Sequence, residues 1–395
     1  MSGYGCQRRQ IGSRSDTRAR IGCRAAGVAA LFVLTATPAG HALAQPVTGL
    51  DQPRGSIGRA MPVAVFGKDD RIALPQSLSK VREGLGVLFN LRTRTVCTAF
   101  CVDAGLIATA AHCLYKPASD KQPRLQDFWF ARNYDVRRDY ARIAGFDTGS
   151  AGQHIASGAM SLSTTPPIDA TSDWAVVKLS KPVCRGHALE VEAATPDQVI
   201  AASKAGHFFQ LSFHRDYQQW RPAYSQPCVA EKTFGSVTPA QIARDFSRSE
   251  ALVLHTCDTG GASSGSPLFR QAPQGPRVVG INVGTYVLSR VLTQDGKVTR
   301  KLASDTIANT GVASRAFTGA IAAMRSAEIL VGPARIRELQ GGLKDLGLYG
   351  GALDGTYGAE LRAAIERFET SRQRPALGLA TRALLDEVRT AQKAR

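Results

Sequence analysis

The sequence predicts a mostly-β domain followed by a small all-α domain of three helices. Two observations carry this. Short apolar, strand-like runs separated by polar turns recur through most of the chain, at 85–89, 106–108, 251–254 and 278–281 among others. Beyond residue 335 the pattern changes to a helical period. Ile336, Leu339, Leu343 and Leu346 form one stripe, Leu361, Ala364, Ile365 and Phe368 a second, and Leu384, Leu385 and Val388 a third. A chain of 395 residues is also too long for one ordinary domain.

Residues 1–44 read as an export signal. Six arginines, the last of them Arg24, precede an apolar run at 25–34, and Ala42-Leu43-Ala44 supplies a small-x-small cleavage site. The run is too short to span hydrocarbon, so no transmembrane anchor is expected after cleavage. Removing six arginines and Asp16 takes the formal net charge from +17 to +12. A basic exported protein is drawn to anionic envelope polymers. No Lys/Arg stripe with interleaved aromatics appears, so no nucleic-acid partner is expected. Cys97, Cys101, Cys113, Cys184, Cys228 and Cys257 remain after the signal. Six cysteines in an exported chain read as disulfides with fifteen possible pairings. No Cys-x-x-Cys pair or His-rich tract suggests a metal, and no cofactor is expected. Residues 45–62, rich in Gly, Pro and Arg without periodicity, read as a flexible arm or propeptide, which the domain division extends to residue 74.

The first chemical motif is Thr109-Ala110-Ala111-His112-Cys113, after a buried strand at 106–108. It resembles the histidine signature of the chymotrypsin-like serine proteases, and the resemblance makes His112 the general base. Cys97 stands sixteen residues before Cys113, the spacing of the disulfide that staples this loop in that family. A bridge closing such a loop is worth about 3 kcal/mol on the chain-entropy account. Cys101 is an alternative partner for Cys113, and the pairing of Cys101 and Cys184 stays open.

Asp173-Trp174-Ala175-Val176-Val177-Lys178-Leu179 resembles the family's aspartate strand, with Asp173 orienting His112. Cys228 resembles the cysteine that pairs with the one before the serine loop, which implies Cys228–Cys257. His214 and His255 have no motif around them and read as structural. The serine loop is the small-residue stretch 257–269. A serine on such a tight turn can expose its hydroxyl beside two amide donors, which acyl transfer needs. Ser263 and Ser266 are rivals, but only Ser264 is followed by Gly265-Ser266-Pro267, as the family pattern asks. The resemblance then puts the oxyanion hole at the amides of Ala262 and Ser264. Ala262 departs from the family's glycine, and its Cβ penalises the positive φ of that position. Ser263 stands where animal trypsins carry an aspartate, which points to the bacterial branch resembling the glutamyl endopeptidases.

For substrate binding, Asp258 stands six residues before Ser264, where trypsins carry the base of an Arg/Lys pocket; it also follows a cysteine directly, where it caps the loop instead. Both readings stand. Asn282 lies on the expected pocket wall. Glutamyl endopeptidases carry histidine there, which argues against glutamate specificity.

Residues 313–326 look like the helix that closes the protease fold, and 327–334 is the linker. Residues 335–395, with Asp354-Gly355-Thr356-Tyr357-Gly358 between the first two stripes, resemble the three-helix peptidoglycan-binding domain. Asp354 and Tyr357 are the expected glycan contacts. Glu369 replaces the family's glutamine. The resemblances imply an all-β, chymotrypsin-like double barrel of two six-stranded barrels over 75–326, tethered by a helical module. The expected function is an exported serine endopeptidase, secreted or periplasmic, acting on protein or peptide and held on peptidoglycan. Two alternatives stand beside it: a catalytically dead scaffold serving as an envelope adaptor, and a wall-remodelling peptidase acting on peptidoglycan peptides.

Overall fold

The computed structural model describes residues 54–61, 64–134, 139–218, 220–225, 227–294 and 297–394, with side chains left aside at 54–61 and 290–303. The expected export signal, 1–44, lies outside the described residues. The chain from Gln52 to Arg395 forms one compact unit.

The strands fall in chain order. The first nine are β1 (Arg54–Met61), β2 (Ile72–Ala73), β3 (Leu85–Asn90), β4 (Thr95–Asp103), β5 (Leu106–Thr109), β6 (Trp129–Arg132), β7 (Asp139–Arg142), β8 (Ile155–Ser157) and β9 (Ala175–Lys178). There follow β10 (Phe208–Phe213), β11 (Pro222–Ser225), β12 (Ala230–Glu231), β13 (Leu252–His255), β14 (Pro267–Ala272), β15 (Gly275–Gln294) and β16 (Lys297–Ala313). One sheet runs β7-β6-β3-β4-β5-β9-β8; the other runs β12-β13-β16-β15-β14-β10-β11-β2, with β1 on β15. All their ladders are antiparallel. Both curl around apolar residues in the chymotrypsin-like manner.

Where six strands per barrel were expected, the two sheets hold seven and nine among the described residues. Part of the excess comes from the stretch read as an arm. Arg54–Met61 pairs with Leu292–Thr285 of β15. The β15–β16 hairpin offers an edge, and edge pairing is made by the backbone, so it needs no side-chain periodicity. The closing helix also begins later than expected. Ala313 still pairs with Gly280 as the last residue of β16, and the helix is Thr318–Ser326. It buries Ala320, Ile321 and Met324.

The core draws on both sheets, with Phe100 and Phe130 from the first and Phe213, Phe269 and Tyr286 from the second. Each such side chain contributes about 1.5–3 kcal/mol. Three helices follow: Pro333–Asp345, Ala359–Ser371 and Arg382–Lys393. They bury the predicted stripes in a separate cluster, with Ile336, Leu339, Leu343, Ile365 and Val388 fully enclosed. Pro333 opens the first of these helices, where its missing N–H costs nothing. The segment before it is not a loose tether. Ile329 bridges Thr381, and Leu330 N donates to Ala380 O at 2.9 Å. No helix among the described residues is long and apolar enough to cross a membrane.

Candidate active site

Strands β5 and β9 run antiparallel with Thr109 opposite Ala175. His112 lies just beyond Thr109 and Asp173 just before Ala175, so the pairing carries both off the same end of the sheet. His112 sits on the turn Ala111–Cys113, which the Cys97–Cys113 disulfide pins to β4. The Asp173 carboxylate holds it twice. Oδ2 accepts from the ring Nδ1 at 2.7 Å, and Oδ1 accepts from the backbone N–H at 2.9 Å. With its proton on Nδ1, the ring offers Nε2 as a base. Burial works against the imidazolium, but the charge and hydrogen bond of Asp173 outweigh it, and the His112 pKa is raised above its ordinary value.

The loop from Cys257 to Ser266 comes from the other sheet, between β13 and β14. Cys113 Sγ lies 4.0 Å from His112 Nε2 and 3.9 Å from Ser264 O, so the loop and the histidine meet at the disulfide. That sulfur is bonded to Cys97, so the Cys97–His112–Cys113 cluster offers no thiolate to a metal. Of the three serines, Ser263 and Ser266 are fully enclosed, while Ser264 keeps 6% of its surface exposed. Ser266 Oγ accepts from Gln210 Nε2, and Ser263 Oγ has no partner. Ser264 Oγ donates to no described residue.

Ala262 and Gly265 both hold φ at +82°. At Ala262 this conformation carries a Cβ and costs about 1–3 kcal/mol unless its surroundings impose it. Thr98 imposes it. Its Oγ1 donates to Ala262 O at 2.9 Å and accepts from Phe213 N at 3.0 Å, while its own N–H donates to Ser264 O at 2.9 Å. Neither the Ala262 nor the Ser264 amide donates to a described group, and the peptides that carry them are held by their own carbonyls, Gly261 O accepting from Arg215 N at 2.7 Å and Ser263 O from Ser266 N at 3.1 Å. Gly265 permits this approach, since a Cβ there would collide with Thr109 Oγ1 and Thr98 O. Thr98 was not singled out in the sequence; a threonine beside a cysteine in an apolar strand carries no signal of contacts 164 positions away.

The two expected substrate-binding residues both make hydrogen bonds inside the protein. Asp258 accepts from Phe66 N at 2.8 Å with one oxygen and from Asp70 N at 3.0 Å with the other. That is the geometry of the capping reading, and each carboxylate oxygen keeps a further lone pair. Asn282 takes the Nε2–H of His255 on Oδ1 at 3.2 Å and donates to Ser263 O. It thereby links His255 to the serine loop. His214 and His255 are buried, and burial pulls each pKa down to about 3. Arg71 donates to His214 Nδ1, which leaves Nε2–H for Ser212 Oγ. The remaining cysteines join as Cys101–Cys184 and Cys228–Cys257.

In the helical module the expected glycan contacts are also internally bound. Asp354 Oδ1 accepts from Gln340 Nε2 and Thr356 N. Tyr357 OH donates to Gly378 O at 2.6 Å, and its ring lines a cleft with Gly152 of the β-domain. Glu369 Oε2 accepts from Leu377 N and Gly378 N. Arg362, unmarked in the sequence, crosses to the β-domain. It donates to Ser157 Oγ at 2.6 Å and to Ser157 O.

The fold and the meeting of these loops define a chymotrypsin-like protease fold with an appended helical domain. Residues 97–281 match the family model described as a trypsin-like peptidase domain, and residues 333–387 match that of a putative peptidoglycan binding domain. The chain thus carries a trypsin-like peptidase domain followed by a C-terminal peptidoglycan-binding domain. A solved structure described as a Glu endopeptidase in complex with MPD is similar, at 16% identity, covering 66% of this chain and 98% of its own, with a TM-score of 0.41. No curated protein matches the chain.

Proposed function

We propose that this protein is an exported serine endopeptidase held on peptidoglycan by its C-terminal domain. The observation that carries the reading is the Asp173–His112 pair beside a serine loop with two uncommitted amides. In the reaction, His112 Nε2 takes the Ser264 hydroxyl proton as Oγ attacks the scissile carbonyl. The oxyanion receives the N–H groups of Ala262 and Ser264, whose peptides are already held through the Gly261 and Ser263 carbonyls. The imidazolium, stabilised by Asp173, gives its proton to the leaving amine. Water then attacks the acyl-enzyme with His112 again as base. The Ser264–His112 hydrogen bond is absent at rest and forms with substrate, as such contacts commonly tighten only in the complex.

The test is covalent labelling with a fluorophosphonate, alongside hydrolysis of unfolded protein. The wild type should label at one serine and cleave; Ser264→Ala should do neither. A wild type that neither labels nor cleaves would leave the scaffold alternative standing.

A further inference from the structure

Two cavities share Tyr115 as a lining residue. The nearer, about 230 Å³, is lined by His112, Asp173, Tyr115, Lys116, Leu162 and Ile168 among others. The farther, about 680 Å³, lies between the β-domain and the helical module. Their lining segments follow one another along the chain on both banks. On one bank the chain runs from Tyr115 and Lys116 at the nearer cavity to Gln122 and Pro123 at the farther; on the other it runs from Ile168 and Leu162 back to Met160 and Gly158. Tyr115 lines both. The helical module closes the far side with Ala359, Arg362 and Glu366.

We infer that the helical module forms one wall of an extended substrate groove that begins at the His112–Asp173 cleft and takes apolar side chains of a polypeptide well away from the scissile bond. This rests on the endopeptidase reading above. Three observations carry it. First, the groove is fixed: Arg362 is 6% exposed and bonded to Ser157, and the linker is bridged to Thr381. Second, the size falls within the range of ordinary ligand clefts, roughly 300–1,000 Å³. Third, the charges of the farther cavity are already paired. Arg362 Nε donates to Glu366 Oε1 at 2.7 Å, so Leu125, Met160, Ala159 and Ala359 present an uncharged, largely apolar lining. Such a lining rewards burial of apolar side chains and offers nothing to a free carboxylate. The module would therefore select substrates as well as anchor the enzyme.

The test uses the full chain and two fluorogenic peptide series with the same residues at the scissile bond, one short and one extended by Leu- and Phe-rich flanks. Ala359→Trp fills the groove from the exposed start of a helix. It should lower the ratio of kcat/KM for long over short peptides at least about tenfold, since pocket contacts of this kind are worth that much or more. Met160→Ala, from the opposite bank, should lower the same ratio. In a Ser264→Ala background, Ala359→Trp should weaken binding of a labelled long peptide by a similar factor, read by anisotropy. An unchanged ratio in an active enzyme overturns the groove and leaves the endopeptidase reading intact. Ala359-dependent binding without any hydrolysis by the wild type supports the groove and removes the catalytic reading. Displacement of the labelled peptide by peptidoglycan fragments, but not by unlabelled apolar peptide, would reassign the groove to the wall and overturn the inference.

Discussion

The serine loop and the 354–358 loop of the helical module were both read from motifs, and their polar atoms are used in opposite ways. In the serine loop the carbonyls of Ala262 and Ser264 are tied to Thr98, and the two amides are left over. In the other loop, Asp354 holds Thr356 N and Gln340, and Tyr357 OH is fixed on Gly378 O. One motif spends its backbone to leave donors free. The other spends its side chains to hold a turn. Two motifs of equal clarity in sequence therefore carry different information: one leaves backbone donors free, and the other engages its named side chains in holding a turn.

The sharpest way to break this contrast is at Ser264. Ser264→Ala should lower turnover by about a million-fold, as in triads that act as a unit. Ser263→Ala, which removes a buried hydroxyl with no partner, should leave turnover within about tenfold. The reverse pattern would move the nucleophile by one residue. Asp173→Asn comes next, with an expected loss of about ten-thousand-fold. It also has a pH signature. His112 must be neutral to act as base, so kcat/KM rises as pH climbs through its pKa. Asp173 raises that pKa, so the wild-type acid limb should lie above the ordinary histidine value of about 6.5. Asp173→Asn should move the limb to lower pH; a limb that stays put would mean another group titrates.

Thr98→Val should have a smaller effect. It keeps the volume but removes the donor to Ala262 O, leaving that carbonyl buried and unpaired at a cost of about 1–3 kcal/mol. With the strained Ala262 released, kcat should fall by more than KM rises. Equal changes in the two would make Thr98 a packing residue only. The least effect is expected from Tyr357→Phe, about 1 kcal/mol of stability from one lost hydrogen bond. Pelleting with sacculi should persist. Lost pelleting at unchanged melting temperature would erase the contrast and make the loop a glycan contact.

Much of the site was legible because its pieces are locally encoded. The small residues from Cys257 to Ser266 can only turn, 106–108 can only be a buried strand, and three helical stripes declare their own core. Each depends on neighbours a few positions away. The contacts that decide how the polar residues are used do not. Asp258 accepts from Phe66 N across 192 positions, Thr98 reaches Ala262 across 164, and Arg362 reaches Ser157 across 205. Strand β1 was missed for a related reason, since its pairing is made by backbone groups that any residue supplies.

The sequence by itself determined the strand-like runs of the first domain and the helical nature of the second, because periodicity and turn chemistry are properties of short stretches; the barrel fold and the three candidate motifs were implied by their resemblance to a family. Only the tertiary structure decided which polar atoms remain free, that a threonine on one sheet holds the serine loop of the other, and that the module is fastened against the β-domain by Arg362. Those are matters of hydrogen-bond satisfaction in a buried environment, where each donor and acceptor must find a partner among whatever the fold brings near.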